Sequence, residues 1–340
     1  MTSRLILFPL CCLILVGRPL PLRSQAKLLR IETSIDAMGG SFSIIAYGPD
    51  AYKLRAAAEA AGEEVRRLEQ VMSNYIADSE WSQINRDGSK GPVRVSAETV
   101  DLIQACKNYH RLSGGTFDIS VGPLMKVWGF YKGTGRLPHR AEVREALQRV
   151  GSDKIEIDAK AHTVRFQKSG MEIDPGGIGK GFAVDRAAAI LREYGIDTAL
   201  ISAARSSIMA LGAPPNESGW RVQIRDPKDA AKVAQEVVLR DESMSTSGNY
   251  EKFFYAAGKL YSHIMDPRTG FPAQGMLSVS VIAPTCIDSE AWTKPIYIQG
   301  RTWAEQHKPT GFRAFVCEDK PAVRGPFGPQ GERTSCVWLR

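Results

Sequence analysis

The sequence predicts an α+β fold, in which strands and helices do not alternate regularly along the chain. Residues 51–72 repeat apolar side chains at helical spacing, whereas Ser278–Ala283 is a β-rich segment of the kind that forms a buried strand. Strand-like segments come in groups between two or three long helices, so a doubly wound sheet is not expected. With 340 residues, 43% hydrophobic and 24% charged, the composition is that of an ordinary globular protein large enough for one two-lobed domain.

The first half of the chain contains one clear strand and two clear helices. The strand is Phe42–Tyr47, closed by a Gly-Pro-Asp turn, and the helical stripe of residues 51–72 follows it. Ser96 is a suitable N-cap for a second helix, with Glu98 in its first turn and glycines at 114–115 to end it.

The second half is richer in strands. Ile155–Phe166 alternates about a short turn as a hairpin does, and four further segments have strand character. These four are Val222–Ile224, Glu236–Leu239, Ser278–Ala283 and, more weakly, Ala314–Cys317.

The N-terminus has the pattern of an export signal. Arg4 supplies the positive charge, Leu5–Val16 is an apolar run too short for a comfortable membrane span, and Ser24–Ala26 suits cleavage. The expected division is a signal peptide at 1–26 and one domain at 27–340, in a periplasmic or otherwise extracytoplasmic compartment. Retention as a membrane anchor stays open, and lipidation at Cys11 or Cys12 ranks second because Pro and Leu precede them.

Charge and cysteine content exclude some classes. Loss of the three arginines before residue 27 lowers the formal charge from +7 to +4, too little to indicate nucleic-acid binding. Four cysteines remain, Cys106, Cys286, Cys317 and Cys336, with no Cys-x-x-Cys pair for a zinc or redox site. A disulfide between Cys317 and Cys336 is expected in an oxidising compartment, with buried free thiols as the alternative.

Tyr261–Gly270 concentrates more chemistry than a surface turn requires. It contains His263, Asp266 and Arg268 on a backbone shaped by a proline and a glycine. Imidazole titrates near neutrality, so His263 is a candidate base. The alternative is a hairpin loop with a solvated arginine.

A second dense segment is Ile173–Arg186, which has four glycines in six positions before a helical stretch. Free N–H groups at a helix start, together with Lys180, favour phosphate binding. The spacing matches neither the Walker-A loop nor the dinucleotide fingerprint, and a tight turn into a helix is the alternative.

Two aromatic segments are further candidates. Asp118, between apolar neighbours, needs hydrogen bonds from a ligand or from backbone when buried, and an ordinary Asx turn would also supply them. Tyr75 is placed to stack on a planar ring, with a core aromatic as the equal alternative.

Three oxygen-bearing side chains lie within one stretch of six residues after the Ser278–Ala283 strand: Asp288, Glu290 and Thr293. Carboxylate and hydroxyl oxygens suit a hard cation such as Mg²⁺. An acidic helix start, favoured by the helix dipole, explains the same pattern without a metal.

In order, these segments resemble the ApbE family of flavin transferases over most of the mature chain. The matching motifs are Ala37–Phe42, Met72–Tyr75, Ser79–Glu80 to Ile84–Asn85, Phe117–Asp118 to Trp128–Phe130, Asp174–Asp185, Thr246–Tyr250 and Ser262–Gly270.

The resemblance implies a T-fold-related arrangement of mixed sheets and packed helices. It also implies a periplasmic, Mg²⁺-dependent FAD:protein FMN transferase, which cleaves FAD, attaches FMN to a Thr or Ser of a redox or membrane partner protein, and releases AMP.

The resemblance also assigns roles to residues. The expected FAD-binding residues are Met38, Tyr75, Phe117, Asp118, Asp174, Lys180 and Ile264. The Gly177 carbonyl, with Glu290 and Thr293, would hold Mg²⁺, and Asp288 would be the ligand in place of Glu290 if the longer Glu side chain is misplaced. His263 would be the catalytic base, and Lys180 and Arg268 would assist the metal in neutralising charge on the transferring phosphoryl group.

Two segments depart from the family pattern. Ala204-Arg205 stands where a Gly-Gly pair is usual, and Ser289–Thr293 replaces Ala-Asp-Ala-x-x-Thr with a Glu for Asp and one residue fewer. Arg205 would either crowd the flavin or add a phosphate contact. These departures leave two alternatives open: an FAD pyrophosphatase, or a flavin-binding protein without turnover.

Overall fold

The computed structural model describes residues 28–320, 323–325, 328–330 and 333–340. The proposed signal peptide at 1–26 lies outside these residues. Among the helices that are described, none combines the length and apolar character needed to cross a membrane.

An eight-stranded antiparallel sheet runs through the protein, in the order β1-β2-β6-β7-β10-β15-β16-β19. The strands of this sheet are β1 Leu29–Ala37, β2 Gly40–Gly48, β6 Ala199–Ala203, β7 Ser207–Leu211, β10 Glu242–Gly248, β15 Met276–Ala283, β16 Arg313–Lys320 and β19 Arg333–Trp338.

Smaller sheets surround it. They are formed by β3 Val93–Arg94, β4 Ile155–Asp158, β5 Thr163–Phe166, β8 Trp220–Arg225, β9 Val233–Leu239, β11 Phe253–Ala256, β12 Lys259–Ser262, β13 Met265–Asp266, β14 Phe271–Pro272, β17 Val323–Gly325 and β18 Gly328–Gln330.

Seven α-helices occur in the described part of the chain. They are α1 Ala51–Met72, α2 Glu80–Asp87, α3 Ala97–Leu112, α4 Gly122–Val127, α5 Arg140–Leu147, α6 Gly179–Glu193 and α7 Cys286–His307. Side chains of α1, α3 and α6 join those of β1, β2 and β6 in the largest apolar core. The β8–β9 hairpin covers the opposite face, where Trp220 meets Tyr47 with ring centroids 5.9 Å apart.

Antiparallel pairing places Cys317 of β16 directly opposite Cys336 of β19, and a disulfide joins them. Cys106 and Cys286 are free and buried. The expected disulfide is therefore confirmed.

The α+β class is confirmed, and so are the helix over 51–72, the helix capped by Ser96 and the Ile155–Phe166 hairpin. The sequence predicted separate strand segments and not one large continuous sheet. The sheet could not be predicted because its strands come from distant parts of the sequence. Strands β6, β7 and β10 were not predicted, since they carry alanine and serine rather than the usual β-branched and aromatic residues.

Candidate functional site

One wall of the site is the loop that carries Asp174, and the amides of two asparagines fix its backbone. Asn85 Nδ2 donates to the Ile173 carbonyl at 3.0 Å while Ile173 N–H donates to Asn85 Oδ1 at 2.7 Å. Asn74 Nδ2 also donates to the Ile173 carbonyl, at 2.9 Å. Asp174 N–H reaches the Ile119 carbonyl at 2.7 Å. With its backbone fixed on both sides, the Asp174 carboxylate has a defined position.

An aromatic pair stands beside this carboxylate. Tyr131 O–H donates to Asp174 Oδ2 at 2.5 Å, and the rings of Tyr75 and Tyr131 meet edge to face at 6.3 Å. Tyr75 is 75% exposed, so it is a surface aromatic available for stacking rather than a core residue. Tyr131 was missed from the sequence because its partner lies 43 positions away.

The glycine-rich segment turns directly into α6, as predicted. Asp174 Oδ1 accepts from Gly176 N–H at 2.7 Å and caps the short 3-10 helix Pro175–Gly177. Lys180, in the first turn of α6, donates from Nζ to Ser206 Oγ at 2.5 Å. The lysine is thus held at a helix N-terminus, where an anion is favoured.

Glu290 connects α7 to this turn. Its carboxylate is 3% exposed, and Oε2 accepts from Gly181 N–H. Gly181 permits this approach, because a Cβ there would lie 2.4 Å from the Cys286 carbonyl oxygen. The structure therefore brings the glycine-rich segment and the predicted metal segment together.

Lys294 lies in the same place and was not predicted. Its Nζ donates to the Glu290 carbonyl at 3.2 Å and stands 4.0 Å from Glu290 Oε1. A methyl group on Gly177 would lie 3.5 Å from Lys294 Cε, so the lysine stem runs past that residue. Burial lowers the Lys294 pKa to about 8; Glu290 opposes this shift and nearby Lys180 adds to it. The ammonium is mainly charged at neutral pH.

His263 completes the cluster from the loop between β12 and β13. Its backbone N–H donates to the Lys252 carbonyl at 3.0 Å, and Nδ1 lies 3.1 Å from the same oxygen. Burial lowers its pKa to about 4; the hydrogen bond to the Lys252 carbonyl opposes this, and the charges of Lys252, Lys294 and Lys180 reinforce it. The imidazole is therefore neutral at neutral pH. With the Nδ1 proton donated to that carbonyl, Nε2 carries the free lone pair.

The remaining predicted flavin-binding residues differ in exposure. Met38 sits at a φ of 52° in the β1–β2 turn, with its N–H donated to Glu69 Oε1 at 2.7 Å. Beside it is a hollow of about 490 Å³, lined by Asp36, Ala37, Gly39, Gly40, Ser41 and Glu69. Phe117 and Ile264 are 2% and 5% exposed and lie behind Gly177 and beside His263. They support the site from within the core.

The Asp118 side chain has its hydrogen-bond partners within the chain itself, and its place in the lining of the FAD site stays a prediction. Its side chain is 1% exposed, and His110 Nδ1 lies 3.1 Å from Oδ2. Ser120 and Ser152 donate their N–H and O–H groups to its two oxygens, at 2.6 to 3.0 Å. Every donor comes from the chain itself, so Asp118 is a structural residue.

Arg268 is paired within its own loop, and its assistance in the reaction stays a prediction. Its Nε and Nη2 contact the two carboxylate oxygens of Asp266 at 3.0 and 2.9 Å, and Nη1 donates to Gln299 Oε1 at 3.2 Å. A bidentate pair neutralises the guanidinium locally. Arg268 shapes its loop and does not face the His263 cluster as a free cation.

Of the expected metal ligands, Glu290 lies against the glycine-rich turn, whereas Asp288 has partners elsewhere. Asp288 accepts from Tyr109 O–H at 2.7 Å and from Thr285 Oγ1 at 2.6 Å. Residues two apart on a helix face opposite directions, so Asp288 and Glu290 cannot hold one ion together. Asp288 therefore lies away from Glu290, and its role as the alternative metal ligand stays a prediction.

Thr293 and the rest of the donor set do not fit Mg²⁺ either. The Thr293 hydroxyl donates to the Glu290 carbonyl at 2.7 Å and lies 2.8 Å from Ser247 Oγ. What remains is one carboxylate that already accepts from Gly181 and faces an ammonium. No group of three or more His, Cys, Asp or Glu side chains suited to a metal occurs in the described part of the chain. Mg²⁺ prefers near-octahedral oxygen ligands, which this arrangement does not offer.

The Ala204-Arg205 departure has a clear local geometry. Both residues have left-handed backbones, with φ of 48° and 58°, which explains why glycine suits this turn. A Cβ on Gly40 would lie 2.7 Å from Ala204 Cβ, so a glycine across the turn makes room for the alanine. The Arg205 side chain is exposed, and Ser206 next to it holds Lys180.

Taken together, the glycine-rich turn into α6, the start of α7 and the histidine loop bring Glu290 onto the N-terminus of α6 and place Lys180 and Lys294 within electrostatic reach of His263. The chain belongs to the ApbE family, whose model matches residues 38–314.

Curated relatives support this membership. The chain is 34% identical over 270 residues to the FAD:protein FMN transferase of Treponema pallidum, covering 73% of this chain and 74% of that protein. It is 31% identical over 237 residues to a Klebsiella pneumoniae protein of the same name, covering 68% and 72%.

Solved structures agree in fold. The ApbE protein of Thermotoga maritima superposes with a TM-score of 0.77 at 31% identity, covering 85% of this chain and 94% of that one. The flavin transferase ApbE of Vibrio cholerae gives 0.73 at 24% identity, covering 91% and 97%, and supports the fold alone.

Proposed function

We propose that this protein is an FAD:protein FMN transferase, which moves FMN from FAD to a Thr or Ser hydroxyl of an acceptor protein. Membership of the ApbE family and the names of its relatives support the reaction class. The observation that carries the proposal is geometric: Lys180 is held by Ser206 in the first turn of α6, directly after the turn capped by Asp174, and His263 is anchored through Nδ1 on the Lys252 carbonyl within electrostatic reach of Lys180.

The proposed reaction breaks one bond and forms one. The acceptor oxygen attacks the phosphorus of the FMN half of FAD, and its proton passes to His263 Nε2. The phosphorus–oxygen bond to the AMP half breaks, and AMP leaves with the electron pair. The products are the FMN phosphoester on the acceptor and AMP.

Each residue contributes through its position. His263 is the proposed base, since its Nδ1 is anchored on the Lys252 carbonyl and leaves Nε2 for the acceptor proton. Lys180 would contact the diphosphate, where charge develops during transfer. Met38, Tyr75 and Asp174 would bind the exposed parts of FAD, with Phe117 and Ile264 packing behind them.

The proposed reaction contains no magnesium step, because the side chains named for that ion do not fit Mg²⁺. Asp288 faces away from Glu290, and the Thr293 hydroxyl is taken by the Glu290 carbonyl and Ser247.

The protein is further proposed to act outside the cytoplasm, on an exposed Thr or Ser of a redox or membrane partner. The signal-like pattern at 1–26 and the Cys317–Cys336 disulfide support this, since structural disulfides are typical of oxidising compartments. Mass determination of the mature N-terminus in cell fractions tests it. A full-length chain in the cytoplasm would refute the location.

The function is tested with purified protein, FAD and an acceptor domain that carries an exposed Thr, beside the same domain with that Thr changed to Val. Covalent flavin fluorescence on the Thr domain alone, with AMP released in equal amount, is the expected result. AMP production without any acceptor would identify a pyrophosphatase instead. Tight FAD binding without either product would identify a binding protein.

A further inference from the structure

Lys294 stands where the family pattern places a metal ligand. In Ala-Asp-Ala-x-x-Thr the acidic residue and the threonine are four positions apart, and four positions after Glu290 the residue is Lys294, not Thr293. Positions four apart share one face of a helix. The uninterrupted helix around these residues therefore exchanges a hydroxyl for an ammonium and does not shorten the motif.

Lys294 also lies against two of the expected metal ligands, Gly177 and Glu290. Its stem passes Gly177, whose carbonyl was the expected backbone ligand, and its Nζ donates to the Glu290 carbonyl at 3.2 Å. The nearest Glu290 carboxylate oxygen is 4.0 Å away, and the other accepts from Gly181. Gly177, Glu290 and Lys294 thus form one contact group.

The local charge balance is wrong for a dication. The Lys294 ammonium stands 4.0 Å from the Glu290 carboxylate, and Lys180 is close enough for its charge to act on both Lys294 and His263. A divalent ion added at that carboxylate would be repelled by the adjacent Lys294 ammonium, whereas the diphosphate of a nucleotide would be attracted.

We propose that the Lys294 ammonium replaces the divalent cation in this chain, so that the FAD diphosphate is bound and its transfer assisted without a metal ion. This inference rests on the proposed function for its substrate, but the site itself is testable by metal binding alone.

The first experiment measures Mn²⁺ binding by electron paramagnetic resonance, with Mg²⁺ as competitor, with and without FAD. Lys294→Thr restores the hydroxyl of the family pattern, and Arg301→Thr is the matched control because it removes one charge from an exposed position of the same helix. Wild type and Arg301→Thr are expected to show no saturable site. Lys294→Thr is expected to gain a single saturable Mn²⁺ site that Mg²⁺ displaces.

A saturable, Mg²⁺-competed site in wild type would overturn the proposal, and so would Lys294→Thr binding no better than wild type. Lys294→Met keeps the bulk of the side chain without a charge or a hydroxyl, and is expected to gain no metal site. Thermal melting of all variants confirms that each is folded.

The second experiment needs no variant and measures FMN transfer in EDTA and in excess Mg²⁺. Rates equal within twofold are expected. A rate lost in EDTA and restored by Mg²⁺ would refute the substitution of metal by lysine. If no transfer occurs under either condition, the proposed function fails, whereas the metal-binding result still decides the role of Lys294.

Discussion

Asp118 and Glu290 are both buried carboxylates, and the sequence marks both as ligand-binding, yet they have opposite environments. Asp118 is surrounded by hydroxyl and N–H donors of its own chain and by His110. Glu290 accepts one N–H, from Gly181, and its other carboxylate oxygen has the Lys294 ammonium 4.0 Å away. A carboxylate saturated by its own fold stabilises structure, whereas one with few donors and an adjacent ammonium leaves that ammonium available to an anion.

The largest effect is expected at the site that contains Glu290, Lys294 and His263. His263→Ala should lower FMN transfer by roughly 10²- to 10⁴-fold, the usual contribution of a general base, while FAD binding and melting temperature remain unchanged. Steady-state transfer and FAD titration measure this. An unaltered rate would remove His263 from the mechanism and weaken the contrast between the two carboxylates.

The next largest effect is expected on stability, at the buried Asp118 carboxylate. Asp118→Ala should lower the free energy of unfolding by about 3 kcal/mol, because His110 and two serines lose a buried partner. Urea unfolding checks this, with exposed Asp158→Ala as the matched control. A small stability loss with a large loss of FAD affinity would reverse the assignment and make Asp118 a ligand-binding residue.

A smaller effect tests the Ala204-Arg205 turn, where Gly40 packs against Ala204 next to the Ser206 partner of Lys180. Gly40→Ala should cost about 1–2 kcal/mol, because its Cβ would meet Ala204 Cβ at 2.7 Å. Adding Ala204→Gly should restore stability, since it removes the clash and also the left-handed strain of the alanine. If the double variant stays as unstable as Gly40→Ala, crowding is not the cause.

The smallest effect is the pH dependence of stability contributed by the Asp118–His110 pair, which adds to that of other shifted groups such as His263 and Lys294. The hydrogen bond to Asp118 raises the His110 pKa, so this stabilisation is complete below the unfolded value of 6.5 and is lost as pH rises through the raised folded value. Burial raises the Asp118 pKa, but His110 and the serine hydroxyls outweigh this and lower the pKa below its ordinary value. The stabilisation from Asp118 is therefore lost only as the pH falls through that lowered pKa. Unfolding midpoints from pH 5 to 9 should decline on the alkaline side in wild type, and less so in His110→Gln.

Sequence reasoning reached the members of the site better than their roles. Asp174, Lys180 and Glu290 do lie around the start of α6, with His263 within electrostatic reach of Lys180. They were found because their motifs have unusual compositions that local patterns reveal. Tyr131 and the two asparagines that fix Ile173 were missed, since each acts through a partner far along the chain. Lys294 was missed for a different reason. It lies four residues after Glu290, at the spacing of the family motif, but the motif was taken to end one residue earlier, at Thr293.

By itself, the sequence determined the α+β class, the main helices, the family and the set of polar segments, because periodicity, capping residues and motif composition are local properties. Only the tertiary structure decided that Asp118 and Arg268 are satisfied internally, that Asp288 faces away from Glu290 and that an ammonium stands beside it. Such roles depend on which donors and charges meet across the fold, and no local pattern carries the direction of a side chain relative to a distant neighbour.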